Sequence, residues 1–134
     1  MRNIVLVTVD CLRADHCSFM GYERKTTPNL DEMAEEGLYF ENAIAHSVAT
    51  LPSITGLFTG EYPLCDSNSN RREDWITEMR GKRTLPQLLK EKGYETGAFQ
   101  PNPRLSAYYG FDRGFDFYQD FMDEEGPAKI GDSG

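Results

Sequence analysis

A chain of 134 residues has room for one modest core, and its 39% hydrophobic and 27% charged residues are ordinary for a soluble globular protein. The formal net charge of -8 excludes the basic surface that non-specific nucleic-acid binding requires, and no apolar run is long enough to span a membrane. Met1-Arg2-Asn3 leads straight into "IVLVTV", too short for a signal h-region with its cleavage site, so the three cysteines, Cys11, Cys17 and Cys65, read as free thiols of a cytoplasmic protein.

"NIVLVTV" (Asn3 to Val9) is an almost unbroken apolar, β-branched run that ends at Asp10, and it predicts a strand buried on both faces of a parallel sheet. "TTPNLDEMAEEG" predicts a helix capped by Thr27 or Asn29, with Leu30, Met33 and Ala34 as its apolar stripe and Gly37 as its stop. "LYFENAIA" reads as a second extended segment. "TLPSITGLFTG" predicts a short helix with Pro52 in its first turn, where a missing N–H does little harm. The stretch from Glu61 to Arg80, with "DSNSNRRED" inside it, reads as a long exposed loop. "TLPQLLKEKG" repeats the grammar of Thr, Pro, apolar stripe and Gly, and "YETGAFQ" is the strand after it. From Pro101 the chain is aromatic and turn-rich, and "MDEEGPAKIGDSG" is a polar tail. Strand, helix, strand, helix, helix, strand is the order of an α/β sheet with helical crossovers.

Two residues stand where chemistry is expected. Asp10 closes the first apolar run, and the carboxyl ends of strands are where open α/β sheets bind ligands; there it either offers a hard oxygen to a divalent cation or caps the following turn. Thr50 heads the proline-bearing helix, where backbone N–H groups and the positive helix end suit an anion; it is either a nucleophile or the helix cap. His46, four residues earlier, is a candidate general acid or base. An acidic surface repels anionic substrates, so a sulfate or phosphate site needs local positive charge, most simply a metal ion.

The run "NIVLVTVDCLRADHCSFMGYERKTTPNLDEMAEEGLYFENAIAHS", followed by "LFTGEYP", "TLPQLLKEKGYETGAF" and "GFDRGFDFY", resembles the amino-terminal region of sulfatases in the alkaline phosphatase superfamily. The resemblance implies an α/β fold with a partial alkaline-phosphatase-like, mostly parallel sheet flanked by helices. Residues 1–134 then form a single amino-terminal domain that lacks the downstream half of the family's catalytic domain. It implies a divalent metal, calcium or magnesium first and manganese or zinc as alternatives, and a small anionic ester as substrate.

Position by position, Asp10 matches the family's first metal-binding aspartate. Cys11 takes the place of a second; a thiol is a poor ligand for calcium or magnesium, and the other reading of Cys11 is a small buried hydrophobe. Thr50 matches the catalytic position of the pattern Cys or Ser, any residue, Pro, Ser, Arg, of which "TLPSI" keeps Pro52 and Ser53 but ends in Ile54. Sulfatases oxidise that Cys or Ser to formylglycine. Thr already carries a methyl on Cβ, so its oxidation would give a ketone and no formylglycine is expected. A hydrated aldehyde releases sulfate by collapsing to a carbonyl, whereas a threonine ester must be cleaved by water, which favours phosphodiesterase-like phosphoryl chemistry.

Where many sulfatases carry Lys-x-His, this chain has "QPNPRL", leaving Asn102 and Arg104 as substrate contacts, with a solvated loop as the other reading of Arg104. Arg13 and Asp15 are expected to hold the turn after the first run, and His16 to be structural. Two readings follow. One is a metal-dependent hydrolase of sulfate or phosphate esters whose isolated chain is inactive or weakly active. The other is a truncated binding or assembly module of the same fold, forming homo-oligomers through exposed sheet edges. A head-group transferase is a third, against which the lack of a membrane segment counts.

Overall fold

The computed structural model describes residues 2–45, 47–63, 72–79 and 81–120, and for residues 72, 73, 75 and 76 the backbone alone. The chain divides into two compact units, Met1–Ile44 and Ala45–Gly134.

In the first unit, helix α1 (Pro28–Glu36) begins and ends where its sequence predicts. Thr27 stands at its N-cap, but the hydroxyl makes no cap hydrogen bond. It donates to Asp31 Oδ1 at 3.1 Å and accepts from the Ser18 N–H at 3.0 Å. Asp31 also accepts from Ser18 Oγ at 2.7 and 2.9 Å and from the Phe19 N–H at 3.0 Å. One carboxylate in the first helical turn thus fastens α1 to the 3-10 turn at Ser18–Met20, and its charge also suits the positive helix end. The helix stops at Gly37, whose backbone is extended (φ -114°, ψ -152°) and where a Cβ would lie 2.8 Å from the Met33 carbonyl oxygen, so that only glycine fits.

Asn3–Val9 lies in no strand, contrary to the expectation from its composition, and Ile4, Val5, Leu6, Val7 and Val9 are all exposed. "LYFENAIA" likewise carries no strand. A β-branched run supplies only propensity; a buried parallel strand also needs a hydrogen-bonded neighbour on each side. Among the described residues the sheet has two strands, both in the second unit.

The second unit contains α2 (Thr50–Thr59), α3 (Arg72–Met79), α4 (Leu85–Glu91), β1 (Gly97–Phe99) and β2 (Phe117–Gln119). Helix α3 lies within the stretch expected to be a long loop. Its last residue, Met79, is 1% exposed and joins Leu51 and Phe111 in the core, so tertiary packing gives this polar sequence its helix. Ile54, Leu105, Tyr109 and Tyr118 pack around that core. The Arg113 guanidinium donates to the carbonyls of Met79 and Lys82, holding the end of α3 and the chain beyond it.

Helix α4 opens with a capping box: Thr84 Oγ1 accepts from the Gln87 N–H, and the Gln87 side chain accepts from the Thr84 N–H at 2.9 Å. β1 and β2 run parallel, with Gly97 opposite Phe117, Ala98 opposite Tyr118 and Phe99 opposite Gln119. The segment between them holds two 3-10 turns, Pro103–Leu105 and Ala107–Tyr109. Helices with a small parallel sheet are the α/β class that the sequence predicts.

Candidate functional site

The start of α2 places Thr50. Ala49 has extended backbone (φ -96°, ψ 143°) and is the N-cap, and its methyl group accepts no hydrogen bond. Its own N–H donates to Ser47 Oγ at 3.1 Å, and its carbonyl accepts from the Ser53 N–H at 3.2 Å. Thr50 is therefore the first helical residue, and the cap position belongs to its neighbour. The N–H groups of Thr50 and Leu51 point out of the helix start with no acceptor inside it, and Pro52 has none to offer. Leu51 and Pro52 are buried, so packing sets the direction of this turn. Ile54 is half-buried against the core, where a family arginine would bring charge.

The segment after β1 holds the next two candidates. Asn102 Oδ1 accepts from the Arg104 N–H at 3.0 Å and so caps the 3-10 turn at Pro103–Leu105. Arg104 is exposed, as the solvated-loop reading has it. Gln100 was not singled out in the sequence. Its N–H donates to the Gln119 carbonyl at 2.9 Å, extending the ladder by one residue. Its carboxamide nitrogen and oxygen are shielded from solvent, and its nearest polar neighbour is the Tyr118 phenol, which feels a side-chain hydrogen bond from it. The signal that could have found it is strand alternation, which puts residue 100 on the face of Ala98, opposite the mostly exposed Gly97 and Phe99.

Asp10 and Cys11 are the two residues of a turn closed by the Leu12 N–H on the Val9 carbonyl at 3.5 Å. Both are exposed, which corrects the reading of Cys11 as a buried hydrophobe. The turn also sets Cys11 at φ 60°, in the left-handed region, and brings its Sγ to 3.6 Å from Asp10 Oδ1. Beyond this turn Arg13 donates through Nε to Asp15 Oδ1 at 2.9 Å, and His16 Nδ1 lies 3.0 Å from the same oxygen. Hydrogen bonding first to Arg13 and then to His16 holds the Asp15 carboxyl well below the usual carboxylate range. The trio binds the turn together, as expected of it.

Asp10 and Cys11 thus belong to the first unit, and Thr50, Asn102 and Arg104 to the second. His46 lies outside the described residues. Among the described residues no three His, Cys, Asp or Glu side chains are grouped to hold a metal ion. Asp10 beside a soft thiol is not a sufficient donor set for a hard divalent cation, so these residues do not by themselves fit the metal that the resemblance implies.

A family model described as sulfatase matches residues 2–129. The chain is 35% identical over 98 residues to an N-acetylgalactosamine-6-O-sulfatase of Bacteroides thetaiotaomicron, covering 71% of this chain and 19% of that protein. It is 35% identical over 98 residues to human iduronate 2-sulfatase, covering 70% of this chain and 17% of that protein. To an N-acetylglucosamine-6-O-sulfatase of the same Bacteroides it is 31% identical over 111 residues, covering 82% of this chain and 19% of the relative. The matched segment is thus less than a fifth of each of these relatives. No solved structure matches the chain significantly.

Proposed function

Since the chain belongs to the sulfatase family, whose members hydrolyse sulfate esters and generally bind a divalent metal, we propose that it carries the nucleophile-bearing part of an ester hydrolase in which Thr50 attacks and phosphate esters are preferred to sulfate esters. One observation carries the reading: Thr50 is the first residue of α2, with Ala49 in the cap position. A hydroxyl there stands beside outward-pointing N–H groups and the positive helix end, which stabilise an oxyanion.

In the proposed reaction the Thr50 oxygen bonds to phosphorus, the bond to the alcohol oxygen breaks, and the departing alkoxide takes up a proton. His46, four residues before Thr50, is the candidate for moving these protons. Water then cleaves the phosphothreonine, with Thr50 leaving. The described residues supply no metal site, and no step is assigned to one. By itself the chain is expected to turn over weakly or not at all, and the small anionic ester it takes is left to the residues around Thr50 to select.

The test is covalent trapping. The chain is incubated with an activated aryl phosphate and quenched in acid, and the tryptic peptide containing Thr50 is sequenced by mass spectrometry. Phosphothreonine at position 50, absent in Thr50→Val, is the expected result, with unmodified peptide carrying intact threonine. Equal labelling of the Thr50→Val chain would remove Thr50 from the chemistry.

A non-catalytic assembly module of the same fold is a second reading, favoured by the exposure of Val5, Leu38, Phe40 and Ile44 in the first unit. Light scattering separates the two: a concentration-dependent oligomer with no trapped adduct supports the module.

A further inference from the structure

We propose that Asn3–Val9 is a dimerisation strand, pairing antiparallel with the same segment of a second copy of this chain in a register that sets Arg2 of each copy opposite Asp10 of the other. The inference rests on the assembly reading above, whose surface it names, and is independent of the chemistry of Thr50.

The segment has the means to pair and does not use them. Asn3–Val9 lies in no strand, and every side chain in it is exposed. Among the described residues, residues 3–8 make no backbone hydrogen bond, and both strands of the small sheet belong to the other unit. Exposure alternates along the run, 58% at Ile4, 85% at Val5, 53% at Leu6 and 76% at Val7, which is the two-residue period of an extended chain. Val5, Val7 and Val9 then share one face, and Ile4, Leu6 and Thr8 the other. A row of N–H and C=O groups without protein partners, flanked by β-branched side chains, is a template for another strand.

Charge selects the partner and the register. From Asn3 to Val9 the run carries no charged residue; Arg2 precedes it and Asp10 follows it. An antiparallel pair centred on Leu6 sets Leu6 opposite Leu6, Val5 opposite Val7, Ile4 opposite Thr8 and Asn3 opposite Val9. Both ends then close with Arg2 opposite Asp10. Opposite charges attract across a strand pair, and aliphatic side chains pack there. A parallel, in-register pair would instead set Arg2 against Arg2 and Asp10 against Asp10, which is unfavourable. An antiparallel slip of two residues keeps the faces but leaves Arg2 opposite Thr8 or Asp10 opposite Ile4. The centred register is twofold symmetric, so one segment serves both copies and the two ion pairs form together. A second copy is therefore the partner that this segment fits.

Sedimentation equilibrium of the chain over a range of concentrations is expected to show monomer and dimer in exchange. Because the segment is exposed, substitutions within it leave the buried core untouched. Leu6→Lys sets like charges opposite each other at the symmetry axis and should abolish the dimer, as should Leu6→Glu; mixing the two variants should restore it. Arg2→Asp turns both ion pairs repulsive and should weaken association about tenfold, and adding Asp10→Arg to it should return the affinity to within about twofold of the parent's. A parent that stays monomeric at every concentration overturns the inference and the assembly reading together. A dimer that Leu6→Lys leaves intact overturns the inference alone, since association then uses another surface. No recovery on mixing the two Leu6 variants, or none in the charge-swapped chain, overturns the register.

Discussion

Asp116 Oδ2 accepts two hydrogen bonds from Thr96, one from the backbone N–H and one from Oγ1, both at 3.0 Å. Thr96 Oγ1 also lies 2.8 Å from the Gly114 carbonyl, and the Asp116 carboxylate is paired with Lys90 as well. This cluster joins the start of β1, the start of β2 and helix α4. Hydrogen bonding to Lys90 first, then to the Thr96 backbone and hydroxyl, lowers the Asp116 carboxyl to about 2. Because the folded value lies below the unfolded one of about 3.9, its contribution to stability is complete above about pH 4 and is lost as the pH falls toward 2. Asp116→Asn should therefore show a shallower loss of stability over that acid range, measured by urea unfolding at several pH values. An acid limb identical to the parent's would contradict the assignment.

Thr84 is fully buried and does two jobs, capping α4 and donating to the Arg113 carbonyl at 3.0 Å. Loss of a Ser or Thr cap costs about 1–2 kcal/mol, and an acceptor left unpaired adds to it. Thr84→Ala should lower unfolding free energy by about 2 kcal/mol, whereas Thr84→Ser, which keeps the hydroxyl, should lose less than half of that. Equal losses in the two variants would mean that the methyl, not the hydroxyl, matters.

Two glycines with nearly the same backbone should respond differently to alanine. Gly110 (φ 87°) and Gly114 (φ 91°) both occupy the left-handed region. A Cβ on Gly110 meets nothing closer than Arg113 Cδ at 3.7 Å, but on Gly114 it would lie 2.5 Å from the Gln87 backbone nitrogen. Gly110→Ala carries the backbone penalty alone, about 1–2 kcal/mol, and Gly114→Ala adds a clash with the rigid first turn of α4. Thermal unfolding should rank Gly114→Ala clearly below Gly110→Ala.

Tyr118 is held above the ordinary tyrosine range, chiefly by burial and then by the nearby Asp120 and Asp112 charges. Its phenol should stay protonated when exposed tyrosines ionise. A raised folded value means that stability is complete below the unfolded value of about 10 and declines as the pH climbs above it. Absorbance titration of the parent against Tyr118→Phe should show one phenol fewer in the alkaline unfolding step, with the earlier phase unchanged.

Calorimetric titration of the isolated chain with calcium, magnesium, manganese or zinc should show no binding tighter than about millimolar, the range of weak calcium sites, because among the described residues no three His, Cys, Asp or Glu side chains are grouped to hold a metal ion. Asp10→Ala should not change that result. Micromolar binding lost in Asp10→Ala would show a site that the described residues do not make.

Helices α1, α2 and α4 were legible because their punctuation is local: a cap or proline at the start, an apolar stripe, and Gly37, Gly60 or Gly93 just past the end. The family signature was legible for the same reason, as a series of short ordered motifs. Helix α3 was not, because its decisive contact is the burial of Met79 among residues distant in sequence. Asn3–Val9 carries every local mark of a strand and lies in none, since pairing depends on neighbours that propensity cannot supply. At the candidate site the sequence alone singled out Thr50, through its resemblance to the family's reactive position. Tertiary structure decided that Ala49, not Thr50, is the cap, that Asn102 serves its own loop, and that Gln100 brings a shielded amide to the sheet end, because each depends on which atoms folding brings within hydrogen-bonding distance.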